Sequence, residues 1–176
     1  MNIEWDAKKY TSNFSFVHQY GSGVMELLDF SEIRTIVDLG CGNGALTKKL
    51  HDKGLSVIGI DASEDLLRIA RADYPDIPFI CADAADFRLE QPADAVFSNA
   101  VFHWIDRESQ PAMLSCVYKA LRKGGQLVFE FGGSGNNALI HEALRLEFEK
   151  RGYRYTVPFY FPRHRRVRLA CRGGWV

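Results

Sequence analysis

Three acidic residues, Asp38, Asp61 and Asp83, each follow a short apolar run in this chain. If those runs are parallel strands, their carboxyl ends lie at one edge of a sheet, which is where open α/β sheets bind ligands. Carboxylates at that edge can accept hydrogen bonds from an amino group, from ribose hydroxyls and from the amino group of adenine. The three acids therefore predict a site for an adenosine-containing ligand.

A glycine-rich turn follows the first acid and contains Gly40, Gly42 and Gly44. With Ala45 it also fits the pattern of a dinucleotide-binding turn, so the glycines alone do not select the ligand. Asp38 lies two residues before the first glycine, where a carboxylate would repel a pyrophosphate. It would instead attract the α-amino group of S-adenosylmethionine (SAM), which carries no phosphate. We predict SAM, with S-adenosylhomocysteine as the product, and keep an NAD(P)-dependent oxidoreductase as the alternative.

The elements that must position these residues alternate between β-branched apolar runs and amphipathic stretches. Strands are predicted over 33–39, 56–60, 78–81, 93–98 and 125–131, and helices over 44–53, 63–73, 109–121 and 136–152. This order predicts an α/β fold with a Rossmann-like, doubly wound, mostly parallel sheet. Residues 33–152 form the predicted SAM-binding domain, between an amino-terminal helical segment (1–32) and a carboxyl-terminal segment (153–176).

The amino-terminal segment is rich in aromatic residues, among them Tyr10, Phe14 and Phe16, and ends in a helix-like stretch over 24–30. Such residues can pack against the sheet. They can also form a flap that closes over a bound ligand, because aromatic side chains suit the apolar face of a ligand. The sequence leaves both interpretations open.

Charge and composition exclude several classes of function. Five arginines and no acid fall within 163–176, which leaves 17 basic against 22 acidic residues elsewhere and disfavours a nucleic-acid partner. The chain has no apolar run long enough to span a bilayer and no signal-peptide pattern, so a cytoplasmic protein without a membrane partner is expected. Its four cysteines are dispersed and predict neither a metal site nor a disulfide framework.

Residues 163–176 break from the composition upstream and show neither helical nor strand periodicity. We expect this tail to be a frameshift product of a natural chain that continues further, which sequencing the coding DNA across Pro162 would test. A basic tail that binds RNA or anionic lipid is the alternative.

Five motifs, in this order and spacing, resemble those of class I SAM-dependent methyltransferases, in the group that includes the trans-aconitate methyltransferase-like enzymes. They cover residues 37–44, 59–63, 82–84, 94–104 and 121–128. The resemblance implies that the methionine end of SAM meets Asp38 and Gly40, the ribose Asp61, and adenine Asp83 and Ala84. The implied cofactor-binding set comprises Asp38, Gly40, Gly42, Gly44, Asp61, Ala62, Asp83, Ala84, Asn99 and Ala100, with Tyr10 and Phe16 in a segment that folds over the cofactor.

The resemblance also implies a seven-stranded sheet that ends in an antiparallel hairpin. This chain is expected to lack the last two strands, so its fifth strand would present an open edge. Such an edge favours pairing with another chain, and we expect a homodimer or a poorly soluble protein.

The expected reaction is direct in-line methyl transfer to a small-molecule acceptor, for which no covalent nucleophile is needed. His103 is the candidate general base, and His18 a weaker one. The alternative for His103 is a packing or capping role beside Trp104. The non-enzymatic alternative for the chain is a protein that binds SAM but is catalytically incomplete.

Overall fold

The computed structural model describes residues 21–163. Tyr10, Phe14, Phe16 and His18 lie outside the described residues, as does the tail from residue 164. Predictions that involve them remain predictions. Within the described range no helix is long and apolar enough to cross a membrane.

The core of the fold is a five-stranded sheet in which every pairing is parallel. The strand order is β3-β2-β1-β4-β5, so the chain first builds outward from β1 and then reverses beside it. The strands are β1 (Thr35–Leu39), β2 (Ser56–Asp61), β3 (Phe79–Cys81), β4 (Ala93–Asn99) and β5 (Leu121–Glu130). The reversal between β1 and β4 creates a crevice at the carboxyl ends of the strands, where doubly wound folds bind ligands.

Four helices follow the predicted positions with shorter ends. They are α1 (Ala45–His51), α2 (Glu64–Asp73), α3 (Gln110–Ala120) and α4 (Ala138–Lys150), and two 3-10 turns cover Phe30–Glu32 and Phe102–Trp104. The stretch predicted as helical over 24–30 is helical only to residue 25, then turns. Asp29 instead caps the 3-10 turn that follows, because its carboxylate accepts hydrogen bonds from the backbone N–H and the hydroxyl of Ser31.

Both faces of the sheet are covered, as a doubly wound fold requires. On one face Ile36, Val57 and Phe97 pack against Leu46 and Leu50 of α1. The other face joins a second group of buried side chains from β1, β2, β4 and α3: Val37, Leu39, Ile60, Val96, Met113 and Val117. Successive residues of β1 point to opposite faces of the sheet, and both faces are buried. Its buried run therefore contains no polar residue except Asp38.

The boundary between α3 and β5 differs from the prediction. A helix to residue 121 and a strand from 125 were expected, but β5 begins at Leu121, directly after α3 ends at Ala120. Its pairing with β4 is irregular between Ala93 and Ala95, and Gly124 there has a φ of 78°. The glycine permits a bulge that a residue with a side chain would resist, and this bulge lets pairing resume at Gln126.

The amino edge of the sheet is held by Asp94, far from the predicted site. One oxygen of its carboxylate, Oδ2, accepts hydrogen bonds from the backbone of Arg34 and Thr35 at 2.9 Å each, while Arg122 donates to Oδ1. These hydrogen bonds hold the pKa of Asp94 well below its usual range, the Arg122 contact contributing most. The cluster links the starts of β1, β4 and β5, so its role is stability.

The last helix is poorly covered. None of the residues of α4 is buried, and five large apolar side chains are more than a third exposed: Leu139, Ile140, Leu144, Leu146 and Phe148. In the described part of the chain β5 also has no strand on its outer side. The described residues thus present an apolar surface on α4 and an open edge at β5.

Candidate active site

The glycine turn lies between β1 and α1, as the sequence predicts. Gly40, Gly42 and Gly44 have φ angles of 77°, 56° and 79°, a region that residues with a side chain rarely adopt. The backbone N–H groups of Gly40 and Cys41 donate to the carbonyl of Ile60, at 2.7 and 3.1 Å. The turn is therefore fastened to the end of β2.

Gly40 is also required by close packing. A Cβ atom at this position would lie 2.2 Å from a methyl carbon of Val101, in the segment that follows β4. The turns after β1 and β4 thus touch at the point where the chain reverses, and only glycine permits that approach.

Asp38 lies at the same turn and is almost completely buried, with 2% of its surface exposed. Its Oδ2 atom accepts a hydrogen bond of 2.7 Å from the hydroxyl of Thr47 on α1. Burial raises its pKa to about 7, and the nearby carboxylate of Asp61 adds to the rise, while the Thr47 hydrogen bond opposes it. A buried carboxylate of this kind suits a ligand that brings a positive charge.

Asp61, at the end of β2, is oriented through both of its carboxylate oxygens. Oδ2 accepts from the N–H of Gly42 and Oδ1 from the N–H of Ser63, both at 2.8 Å. Burial raises the pKa of Asp61, although these hydrogen bonds oppose the rise. Each oxygen keeps a further lone pair, so the group can still accept from a pair of hydroxyls.

Asp83 follows β3 and is exposed. Its Oδ1 atom accepts from the N–H of Ala85 at 2.8 Å, and its carbonyl from the N–H of Asp86. Asp61 pairs with Cys81 across the two strands, which puts Asp83 and Ala84 just beyond the same edge. Ala62, also exposed, lies in the connection between Asp61 and the amino-terminal cap of α2, Ser63.

Asn99 and Ala100 end β4 on the other side of β1. Asn99 is buried, and Ala100 has a φ of 60°, which is uncommon for a residue with a side chain. The N–H of Ala100 donates to the carbonyl of Glu130, the last residue of β5, at 2.8 Å. This hydrogen bond stabilises the backbone conformation of Ala100. The strained backbone is consistent with a functional turn.

His103 lies on the 3-10 turn after β4 and is half-buried. Its Nδ1 atom accepts from the N–H of Gly132 at 3.3 Å, and burial lowers its pKa to about 4. The rings of Trp104, Phe159 and Phe161 lie around it, with centroid distances of 5.5, 5.9 and 5.8 Å.

Comparison with known proteins identifies the family. Residues 36–125, about half of the chain, match the methyltransferase domain family. The chain belongs to the SAM-dependent methyltransferases. Its cofactor is therefore SAM and not NAD(P), the alternative that the glycine turn alone did not exclude.

Three relatives illustrate the match. An uncharacterised methyltransferase of Schizosaccharomyces pombe is 36% identical over 137 residues, covering 75% of this chain and 53% of the relative. A trans-aconitate 2-methyltransferase of Acidovorax is 33% identical over 132 residues, covering 72% and 49%. The crystal structure of a SAM-dependent methyltransferase from Mesorhizobium loti is 33% identical with a TM-score of 0.57, covering 64% and 53%. The chain thus spans about half the length of the curated relatives it matches.

The residues of this methyltransferase fit SAM chemically. A buried carboxylate at Asp38 can face the ammonium group, and the oriented carboxylate of Asp61 can accept from the ribose hydroxyls. Residues 40–45 contain neither lysine nor arginine that could neutralise a phosphate. The donor and acceptor set therefore favours a cationic nucleoside over a dinucleotide.

Sequence reasoning missed three polar contacts of this site. Thr47 supports Asp38, the Ser98 hydroxyl donates to the carbonyl of Leu39 at 2.8 Å, and Gly132 donates to His103. Each hydrogen bond joins residues from different elements, so no local sequence pattern predicts which two residues form it. The available signal was Ser98, a polar residue directly after the apolar run 95–97.

Proposed function

We propose that this methyltransferase transfers a methyl group in line to a small-molecule acceptor. The proposal is supported above all by the placement of Asp38 and Asp61 at the crevice, together with the glycine turn that connects them. In-line displacement needs alignment and exclusion of water, and no covalent intermediate with the protein.

Each residue of the implied set then has a binding role. SAM, when bound, supplies an electrophilic methyl group on a sulfonium. Asp38 and the backbone of Gly40 bind the methionine end, while Asp61 accepts from the ribose. Asp83 and the N–H of Ala84 bind adenine, and Asn99 and Ala100 line the methionine side. Tyr10 and Phe16 are proposed to cover the cofactor from the amino-terminal segment.

The acceptor is proposed to be a small carboxylic acid, with phenols as the second class. A relative that is 33% identical is named for trans-aconitate, a polycarboxylate. A carboxylate is already ionised at neutral pH, so it attacks without a general base. A phenol would need to lose a proton first.

Two measurements test this function. Calorimetry should show that SAM and S-adenosylhomocysteine bind and that NAD does not. SAM consumption should then be measured against trans-aconitate, other small carboxylic acids and phenols. Turnover with none of these acceptors, despite tight SAM binding, would favour the second candidate, a protein that binds SAM but is catalytically incomplete. That candidate is motivated by α4, which buries none of its residues.

Self-association is proposed as well, with the open edge of β5 and the apolar side chains of α4 as the contact surface. We propose neither a nucleic-acid nor a membrane partner. The cytoplasmic location expected from the amino-terminal sequence remains a prediction.

A further inference from the structure

The imidazole of His103 is held in a defined orientation at the carboxyl ends of β4 and β5. The N–H of Gly132 donates to its Nδ1 atom at 3.3 Å, and the N–H of Tyr160 donates to its backbone carbonyl at 2.9 Å. Gly132 itself is closely surrounded, because a Cβ there would lie 2.8 Å from the ring of Phe161. The donor to Nδ1 therefore belongs to a segment that packing keeps in place.

This contact determines which nitrogen of His103 carries the proton. A backbone N–H can only donate, so Nδ1 must be the unprotonated nitrogen. In a neutral imidazole the proton then resides on Nε2. The aromatic rings of Trp104, Phe159 and Phe161 surround the imidazole and favour the neutral form by excluding water.

No charged side chain opposes this state within residues 21–163, because none forms an ion pair or a hydrogen bond with His103. The other titratable groups of the aromatic cluster are His141 on α4 and Tyr155, which bond to each other at 2.7 Å. The ring of His141 contacts Phe159 and Phe161 from α4. Within residues 21–163, the rings that contact His103 are therefore those of Trp104, Phe159 and Phe161.

We infer that His103 is a neutral Nε2–H donor that binds an oxygen of the acceptor, in place of the general base expected from the sequence. In this tautomer the imidazole has one lone pair that can accept a proton, on Nδ1, and the N–H of Gly132 already donates to it. His103 therefore cannot take a proton from the acceptor. A donor of this kind suits an acceptor that is already nucleophilic, such as a carboxylate. This inference rests on the proposed function.

The tautomer can be tested without turnover. Long-range proton–nitrogen correlation spectra of the labelled full chain should show His103 with a protonated Nε2 and a bare Nδ1, unchanged between about pH 5 and about pH 9. The His103→Gln variant assigns the signals among the five histidines. A protonated Nδ1, or titration near the ordinary histidine pKa, would overturn the inference whatever the enzyme does.

The donor role is tested by a matched set of variants with trans-aconitate as the first acceptor. Glutamine can place an N–H near the position of Nε2, whereas phenylalanine keeps the ring but removes the donor. His103→Phe should raise the KM of the acceptor by about tenfold and leave the affinity for S-adenosylhomocysteine unchanged, and His103→Gln should restore most of the loss. Equal effects of the two variants would contradict the donor role. Absence of turnover in the unmodified chain would instead contradict the proposed function, while the tautomer result would stand.

Discussion

Asp38 and Asp61 are both carboxylates at the ends of neighbouring strands, but they differ in burial and in hydrogen-bond partners. Asp38 is buried with the Thr47 hydroxyl beside it, so its charge is costly until a cationic ligand arrives. Asp61 accepts from two backbone N–H groups, which orients the glycine turn, and it is proposed to accept from the ribose as well. Their variants should therefore differ in both stability and affinity.

Asp38→Asn should flatten the pH dependence of stability in the absence of ligand. The folded pKa of about 7 lies above the unfolded value near 3.8, so the folded chain binds the extra proton between these values. The free energy of unfolding of the unmodified chain should fall as pH rises from about 4 to about 7 and then level off. At about pH 8 the variant should be more stable by roughly 2–4 kcal/mol. Urea unfolding at several pH values measures this.

The same variant should bind S-adenosylhomocysteine more weakly, because the ammonium group loses its charged partner. In the unmodified chain the affinity should decrease below about pH 7 as Asp38 becomes protonated. Asp86→Asn, an exposed acid after β3, serves as the control and should change neither property. Equal stability of the Asp38 and Asp86 variants across this pH range would rule out a raised pKa at Asp38.

Asp61→Ala should weaken S-adenosylhomocysteine binding by roughly 1.5–3 kcal/mol, the usual cost of removing a charged hydrogen-bonding partner. It also removes the acceptor of the Gly42 and Ser63 N–H groups, so the folded chain should lose stability. Calorimetry measures the first effect and thermal unfolding the second. An unchanged affinity would remove Asp61 from the site.

Among the elements, the turns after β1 and β4 depend on each other. Gly40 permits the first turn, and Val101 in the second would collide with any side chain at that position. Ala100, beside Val101, is held in its strained conformation by the carbonyl of Glu130. The geometry of the crevice is therefore a joint property of β1, β4 and β5.

Gly40→Ala and Gly54→Ala form a matched pair that separates backbone strain from collision. Both glycines have positive φ angles, 77° and 84°, but a Cβ at Gly54 would meet no atom within 4 Å. Gly54→Ala should cost about 1 kcal/mol of stability from backbone strain alone. Gly40→Ala should cost at least about 2–3 kcal/mol and weaken SAM binding, because Val101 must move. Similar melting temperatures for the two variants would refute the role of the contact.

At the scale of the whole molecule, the uncovered features within residues 21–163 are the apolar side chains of α4 and the open edge of β5. A 13-residue helix that buries none of its side chains contributes little to the core. Its apolar residues are instead available for association with another chain. This property belongs to the assembled fold, since it depends on which faces the sheet leaves uncovered.

Leu139→Glu combined with Ile140→Glu should reduce self-association at least tenfold, because it puts two charges on the apolar surface of α4. These side chains are 87% and 59% exposed, so the fold should be retained. Leu27→Glu is the matched control, since Leu27 is 71% exposed and belongs to neither α4 nor β5. Sedimentation over a range of concentrations measures the effect. A stable monomer near 19.9 kDa for the unmodified chain would contradict self-association.

The features that the sequence determined by itself are those with a local cause. The glycine-rich turn between β1 and α1 and the acids at the ends of β1 and β2 follow from residue type and from strand or helix periodicity. These properties act over a few neighbouring residues, so a pattern along the chain suffices to predict them. The parallel sheet follows from their order.

Other features were decided only by tertiary structure. The raised pKa of Asp38 requires burial by α1, and the bulge in β5 requires pairing with β4. The proton of His103 is assigned by Gly132, which is 29 residues away along the chain. Burial and long-range hydrogen bonds depend on how separate elements pack, and that packing is a collective outcome that no local pattern specifies. The sequence could therefore propose which residues form the site, but only the assembled fold could determine their protonation and their partners.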